Sequence, residues 1–241
     1  EIAGLVQSFA AAARRCREGG LDGIELSFAH GNLVQQFLSP ASNLRTDRYG
    51  GCEENRLRFA REVLEAVREA VGDDYTLGIR YSATELVENG YGLEDGIRYA
   101  KMMQGWGKLD FIDVSAGTNS SMWSRPIHYP TIDSPEKPLI PYARAIKYAV
   151  NVPVFCIGKI TAPEEAEGIL AAGDADMVGM TRAHIAEPAI IRKLAAVKAG
   201  QVMFFSGLIS AYTHGFGFTG LMDKLGVERR LLTAGENKGM L

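Results

Sequence analysis

The sequence predicts an α/β fold in which parallel strands alternate with helices, as in part of a TIM (β/α)8 barrel. Five short apolar segments alternate with amphipathic segments along the chain, and strands joined through helices pair in parallel. Polar residues and glycines follow several of the predicted strands, and barrels place their functional groups at those strand ends. A doubly wound sheet shares the alternation, so the strand ends are what favour the barrel.

The first half of the chain supplies two strands. Apolar residues at helical spacing predict a helix over 3–19, and paired glycines end it. A strand over 22–28 and a loop rich in turn-forming residues over 39–51 come next. Apolar residues at steps of three and four predict a helix over 53–71, before a strand over 75–82.

The second half continues the alternation. Its predicted elements are a helix over 92–105, a strand over 110–115, an irregular loop to about 138, a helix over 140–150, a strand over 152–157, a helix ending at Ala172–Gly173, a strand over 175–179 and a helix over 188–199. Thr161 and Glu164 form the predicted capping box of the helix that follows them.

Composition and charge exclude several classes of protein. The 241 residues include 26 Lys and Arg against 29 Asp and Glu, a net charge of −3, so no basic excess favours nucleic acid as a partner. Apolar stretches fall short of the roughly 18 residues of a membrane span. Cys16, Cys52 and Cys156 are far apart, which predicts a cytoplasmic protein with neither a disulfide scaffold nor a CxxC metal site.

The strand ends carry the candidate binding groups. Arg80 ends one strand, and Gly158–Lys159 and Gly179–Arg182 follow two others. Glycines let a backbone approach an anion, and a guanidinium adds a permanent charge, which suggests a phosphate group. Two ordinary tight turns beside a surface arginine would explain the same pattern. No GxGxxG opens a predicted helix, and the sequence contains no GxxxxGK[ST], so dinucleotide and P-loop sites lack support.

Longer motifs resemble a known family. His30–Pro40, Asn43–Gly51, Glu54–Phe59, Gly158–Ile160 and Ala175–Arg182 resemble the signature of the old yellow enzyme family of flavin oxidoreductases. The resemblance covers residues 1–200 and is strongest to the branch of dienoyl-CoA reductases, trimethylamine dehydrogenase and N-methyl amino-acid demethylases. It implies a TIM barrel that binds FMN and takes hydride from NADH or NADPH.

The resemblance also implies roles for single residues. Arg80 corresponds to the arginine at the flavin N1/C2 edge, where a cation stabilises reduced flavin. The residues that would hold the FMN phosphate are Gly158, Lys159, Gly179, Met180, Thr181 and Arg182. The loop residues Asp47, Arg48, Gly50, Gly51, Asn55 and Arg56 are interpreted as structural.

The candidate catalytic residues are His30 and Asn32. His30 corresponds to a substrate-binding His or Asn, and Ser27 replaces the first His of that pair. Asn32 stands where ene-reductases often have a proton-donating Tyr, and an amide cannot donate that proton. This difference favours amine oxidation or another proton source. Trp123, His128 and Tyr129 lie in the irregular loop, which either faces the substrate or only packs.

Three functions follow from these observations. The leading one is an FMN-dependent oxidoreductase that transfers hydride between NAD(P)H, or an amine, and an enoyl-type small molecule or other electron acceptor. The second is an inactive barrel fragment that acts as an interaction module. The third is a Ser–Lys peptidase fragment. Exposed strand edges would favour a homo-oligomer.

The ends of the chain set two further expectations. The resemblance begins inside the family's barrel and the first residue is Glu1, which predicts a truncated barrel of about five βα units. Residues 201–241 form a predicted non-barrel tail, and the part from 204 resembles signal-peptide-peptidase proteins with Lys238 as the base. The change of resemblance near residue 200 suggests a gene fusion or a chimera of two reading frames. Ser206 and Ser210 do not match that family's nucleophile, so no proteolysis is expected. No Cys follows Cys156, so we expect no iron–sulfur cluster.

Overall fold

Five parallel strands lie side by side in the order of the sequence. The computed structural model describes residues 1–131 and 133–193. The strands are β1 (Gly23–Phe28), β2 (Thr76–Ser82), β3 (Phe111–Ser115), β4 (Val154–Cys156) and β5 (Met177–Val178). Each pairs in parallel with the next.

Helices connect the strands. They are α1 (Ile2–Glu18), α2 (Leu33–Leu38), α3 (Glu53–Val71), α4 (Leu93–Gly105), α5 (Arg125–His128), α6 (Ile140–Lys147), α7 (Pro163–Ala171) and α8 (Thr181–Ala186). Because the strands follow sequence order and parallel crossovers are right-handed, the crossover helices lie on one face of the sheet. Among the described residues, no helix is both long enough and apolar enough to cross a membrane.

The helix-covered face of the sheet forms the core. In β2, Leu77, Ile79 and Tyr81 are fully buried and belong to one apolar cluster with Val63 and Leu64 of α3. Alternate residues of a strand point to opposite faces, so every second residue, the one that faces the helices, is apolar. Burial of these side chains is the main force that holds the helices on the sheet.

The opposite face, called the inner face below, is polar near the strand ends. Paired residues of neighbouring strands share a face, so the register places Ser27, Arg80 and Asp113 in one row across β1, β2 and β3. The rings of Phe111 and Phe155 also lie on this face, 4.9 Å apart between centroids. The strands therefore hold an apolar layer on one side and the candidate functional groups on the other.

The structure confirms the five strands and the predicted α/β class, and it corrects several boundaries. The predicted strand over 175–179 is limited to Met177–Val178. The predicted capping box was wrong by one residue, because Glu165, not Glu164, accepts the N–H groups of Thr161 and Ala162.

Three short helices, α2, α5 and α8, were not predicted, since six or fewer residues show no helical period. Of the helix predicted over 188–199, residues 190–193 are helical, residues 188–189 form a turn, and residues 194–199 lie outside the described part of the chain. The predicted tail over 201–241 lies outside them as well.

Side-chain hydrogen bonds to backbone carbonyl oxygens hold the long loop after α2. The Asn43 side chain donates to the carbonyl oxygens of Phe37 and Tyr49 at 2.7 Å each. The Arg56 guanidinium donates to the carbonyl oxygens of Leu38 and Gly51. These side chains replace the regular ladder that the loop backbone lacks.

Arg68 of α3 ties three elements together at the amino-terminal end of the sheet. Its side chain is 6% exposed and pairs with Asp110 at 2.8 Å. It also donates to the carbonyl oxygens of Gly72, Tyr75 and Lys108. One guanidinium thus satisfies the end of α3 and the approaches to β2 and β3.

We expect Arg68→Met to lower the free energy of unfolding by about 3 kcal/mol, because it removes the ion pair with Asp110 and the guanidinium donors of three carbonyl oxygens. Urea unfolding followed by circular dichroism measures this change. Arg61→Met is the matched control, since Arg61 forms an exposed pair with Glu65, and it should shift stability by less than about 0.5 kcal/mol. Equal losses in the two variants would contradict the role of Arg68.

Candidate functional site

A cleft of about 470 Å³ opens at the carboxyl ends of β2, β4 and β5. It is lined by Arg80, His128, Tyr129, Pro130, Thr131, Ile157, Gly158, Lys159, Ile160, Gly179, Met180, Thr181 and Arg182. These include all seven residues that the sequence assigned to cofactor binding. Parallel strands direct their carboxyl ends to one edge, which explains why residues about 100 positions apart in sequence meet here.

The glycine strand ends form the floor of the cleft. Gly158 has φ of 97° and Lys159 has φ of 56°, so the chain turns through two left-handed residues. A Cβ at Gly158 would lie 2.9 Å from Cδ1 of Leu139, and one at Gly179 would lie 2.7 Å from Cγ2 of Ile157. Packing below the cleft therefore favours glycine at both positions, and the backbone itself lines the space above.

The two basic side chains beyond the glycines differ in their pairing. The Lys159 ammonium is 2.8 Å from a Glu136 carboxylate oxygen and donates to the Ser134 carbonyl oxygen at 2.7 Å. Arg182 forms no salt bridge within residues 1–131 and 133–193. The net positive charge at this end of the cleft therefore comes from Arg182.

Arg80 brings a guanidinium to the other end. Its Nη1 donates to Oδ2 of Asp113 at 2.7 Å, and the two side chains are 28% and 7% exposed. The Nε of Arg80 is buried and has no partner. A buried donor without an acceptor costs about 1–3 kcal/mol, so this end of the cleft is suited to a ligand that carries an acceptor.

His30 follows β1 and lies on the same side of the sheet. Its φ of 62° turns the ring toward β3, where Nε2 lies 2.7 Å from Oγ of Ser115. Its backbone N–H donates to Oγ of Ser82 at 3.2 Å. Burial, with repulsion from Arg80 and His128, lowers the pKa of His30 to about 4. The imidazole is therefore neutral at physiological pH.

The irregular loop after β3 reaches His30. The His128 ring stacks on His30 with centroids 5.0 Å apart, and the Tyr129 ring lies 5.5 Å from it. His128 is itself held by the Ser124 carbonyl and by Oδ1 of Asn119. Only the fold shows this contact, because an aperiodic loop carries no signal of where it packs.

Neither His30 nor Asn32 lines the cleft, and His30 reaches it through its contact with the lining residue His128. The Nδ2 of Asn32 donates to Oγ of Ser27 at 2.7 Å, so the two residues at which the sequence is expected to differ from ene-reductases bond to each other. Gln35 is a residue that the sequence reasoning missed. It is fully buried, and its Oε1 accepts the Gly31 N–H at 2.7 Å, which stabilises the left-handed turn that presents His30.

The part of the chain that the structure describes contains no candidate metal-binding cluster. No group of three or more His, Cys, Asp and Glu side chains is placed to hold an ion there. The charged and polar side chains of the cleft include the guanidiniums of Arg80 and Arg182, the Lys159 ammonium and the His128 imidazole, and the neutral His30 imidazole stacks on His128 beside it.

Comparison with known proteins identifies the family. A family model for the NADH:flavin oxidoreductase / NADH oxidase family matches residues 1–200. The chain is 43% identical over 202 residues to a multifunctional alkene reductase/demethylase of Caballeronia cordobensis, covering 83% of this chain and 29% of that protein. It is 42% identical over 194 residues to an N,N-dimethylglycine/sarcosine dehydrogenase of Chromohalobacter salexigens, covering 80% and 28%.

Solved structures give the same result. A 2-naphthoyl-CoA reductase complex superposes with a TM-score of 0.75 at 32% identity, covering 82% of this chain and 29% of that one. Histamine dehydrogenase from Rhizobium sp. 4-9 superposes at 0.72 and 32%, covering 83% and 28%. An old yellow enzyme homologue from Zymomonas mobilis, at 0.64 and 23% identity with 92% and 58% covered, agrees in fold. The described strands and helices are therefore part of a TIM barrel.

The matches cover only part of these relatives and only part of this chain. The chain spans less than a third of the length of the two curated relatives named above. The predicted similarity of the tail to signal-peptide-peptidase proteins lies beyond the family match, which ends at residue 200, and beyond the described residues, and these matches give it no support.

We expect the His30 imidazole to titrate with a midpoint near pH 4, well below an ordinary histidine. Two-dimensional NMR of the histidine ring protons measures this midpoint. Arg80→Met should move it upward, because a repelling cation is removed, but not to 6.5, because burial remains the larger cause. Arg14→Met, an exposed change on α1, should leave it unmoved. A wild-type midpoint near 6.5 would show that the ring is solvated.

Proposed function

The chain belongs to the NADH:flavin oxidoreductase / NADH oxidase family, and we propose that it is an FMN-dependent oxidoreductase. It would transfer hydride between NADH or NADPH, or an amine, and an enoyl-type small molecule or other electron acceptor. The observation that carries this proposal is the cleft, which joins the Arg80 guanidinium to the glycine strand ends at Gly158 and Gly179. A bound flavin supplies a ring that accepts hydride from one substrate and passes it to the next.

The residues of the cleft fit this cofactor. The buried Nε of Arg80 lacks an acceptor, and the N1/C2 edge of a flavin ring would provide one. The fixed positive charge of Arg80 would stabilise the negative charge that the reduced ring carries there. The proposed role of Arg80 thus follows from both its unmet hydrogen bond and its charge.

The other end of the cleft fits the phosphate. Gly158, Lys159 and Gly179 expose backbone at the strand ends, and Met180, Thr181 and Arg182 continue that wall. Because the Lys159 ammonium is already paired with Glu136, Lys159 would contribute through its backbone. Arg182 would supply the charge for a bidentate contact with phosphate oxygens.

His30 would orient the substrate rather than protonate it. Its ring is neutral near pH 7 because its pKa is about 4, so it is a poor general acid there. A neutral imidazole held by Ser115 can still accept or donate one hydrogen bond. His128 and Tyr129 cover the ring and would exclude water from the substrate side of the cleft.

The pair of Asn32 and Ser27 bears on the substrate class. The Asn32 amide is bonded to Ser27 and has no proton to give at neutral pH. Amine oxidation needs no such acid, and relatives of this chain include an alkene reductase/demethylase and an N,N-dimethylglycine/sarcosine dehydrogenase. We therefore favour a small N-methylated amine as donor over simple alkene reduction.

We expect the purified chain to bind FMN, and Arg182→Gln to weaken that binding at least tenfold, since about 1.4 kcal/mol or more of a charged phosphate contact is lost. Quenching of FMN fluorescence measures both affinities. Arg14→Gln, an arginine exposed on α1, should match the wild type. Absence of binding by the wild type at tens of micromolar FMN would instead favour the inactive interaction module.

We expect Asn32→Tyr to raise the rate of reduction of an electron-poor alkene by FMN-loaded protein at least tenfold, because a phenol can donate the proton that an amide cannot. Asn32→Phe is the matched control, since it has the ring without the hydroxyl. Stopped-flow oxidation of reduced flavin by the alkene gives the rate. Equal rates for the Tyr and Phe variants would show that proton donation at this position is not limiting.

A further inference from the structure

Two carboxyl groups lie beside Arg80 on the inner face. Asp113 is its register partner on β3 and accepts from Nη1 at 2.7 Å. Glu25 precedes Ser27 by two residues on β1 and so shares that face. The Glu25 carboxyl lies within hydrogen-bond distance of the Asp113 carboxyl. The three side chains form one cluster, called the Arg80 cluster below.

The cluster is incomplete when both carboxyls are ionised. Oδ1 of Asp113 is buried and has no donor, and an ionised Glu25 offers only acceptors. Two carboxylates against one guanidinium would also carry a net charge of −1 at the buried Asp113, whereas Glu25 itself is exposed on the inner face. One proton between Glu25 and Asp113 turns their contact into a hydrogen bond and makes the cluster neutral.

The pKa values of the two carboxyl groups also favour a shared proton. Burial, together with repulsion from Glu25, raises the pKa of Asp113 to about 7, although Arg80 opposes the shift. Burial also raises the pKa of Glu25. The two acids titrate as a pair, so the proton belongs to both rather than to one residue.

The neighbours that face the cluster do not titrate near neutral pH. His30 is neutral, because its pKa is about 4. On β4, Phe155 shares the inner face and carries no charge. The Cys156 thiol beside it has a pKa raised to about 12, first by burial and then by Asp113. Within the described residues, the carboxyl pair is therefore the group that can change charge here.

We propose that Asp113 is the positioning residue that holds the Arg80 guanidinium in the cleft, and that Glu25 and Asp113 take up one shared proton when negative charge is bound beside Arg80. This inference rests on the proposed function, since the negative charge is that of reduced FMN. Hydride transfer puts two electrons and one proton on the flavin and leaves it anionic. The second proton comes from solvent to the carboxyl pair and returns to solvent when the flavin is reoxidised.

The coupling is reciprocal. If negative charge beside Arg80 favours protonation of the pair, protonation of the pair favours negative charge by the same factor. Affinity for reduced FMN should therefore fall as pH rises through the titration of the pair, by up to tenfold per pH unit for one linked proton.

The first experiment needs no FMN. Infrared spectroscopy of the FMN-free chain should show the carbonyl band of a protonated carboxyl group that disappears with a midpoint near pH 7. Glu25→Gln and Asp113→Asn should each remove the band at pH 6, whereas Asp73→Asn, an exposed acid, should keep it. A wild type without the band at pH 6, or a band that survives both substitutions, would overturn the shared proton.

The second experiment uses FMN-loaded protein. On photoreduction in weak buffer at pH 8, an indicator dye should record one more proton taken up per FMN by the wild type than by Glu25→Gln. Equal uptake would overturn the coupling. Asp113→Asn should weaken FMN binding at least fivefold more than Glu25→Gln, and equal affinities would overturn the positioning role. Thermal unfolding verifies that each near-isosteric variant folds.

The two experiments separate this inference from the proposed function. Failure of the wild type to bind FMN would overturn the proposed function, while the infrared band would still decide whether the carboxyl pair holds a proton.

Discussion

The parallel register of β1, β2 and β3 is the constraint on which the site depends. It sets Ser27, Arg80 and Asp113 side by side on the inner face, and a shift of one residue would turn all three into the helix-covered core. The apolar residues between them, such as Ile79 and Ile112, are fully buried and make that shift costly. The same alternation that builds the core therefore fixes where the guanidinium points.

The cleft divides its charge between two ends. At one end Arg80 is held by a carboxyl and keeps a buried N–H without an acceptor. At the other end Lys159 is neutralised by Glu136, which leaves Arg182 beside glycines that expose backbone. An elongated anion with a polar ring at one end and a phosphate at the other matches this arrangement. FMN has that shape, and the family of this chain is one of flavin oxidoreductases.

The pKa of the His30 imidazole is shifted downward, whereas a general acid at neutral pH needs a pKa near 7. Burial and a nearby cation keep His30 neutral, and its bond to Ser115 fixes the ring. The buried Gln35 supports the left-handed turn below it. Such support from neighbouring residues holds a side chain in one fixed orientation, which the proposed role of His30 in orienting the substrate requires.

Much of the fold could be predicted from the sequence by itself. The strand–helix alternation, the five strands and the grouping of Arg80, Gly158 and Gly179 at strand ends follow from hydrophobic period and turn chemistry, which are local properties. The expectation that the cofactor is FMN came from the family motifs over residues 30–51. Short helices such as α5 could not be predicted, because too few residues repeat.

Only the tertiary structure decided which groups meet. The contact of His128 with His30, the pairing of Lys159 with Glu136 and the sharing of Asp113 between Arg80 and Glu25 join residues from 23 to 98 positions apart in the printed sequence. Such long-range contacts depend on register and loop packing, which no local pattern encodes. The sequence thus determined what kinds of groups the site contains, and the fold determined their charges and partners.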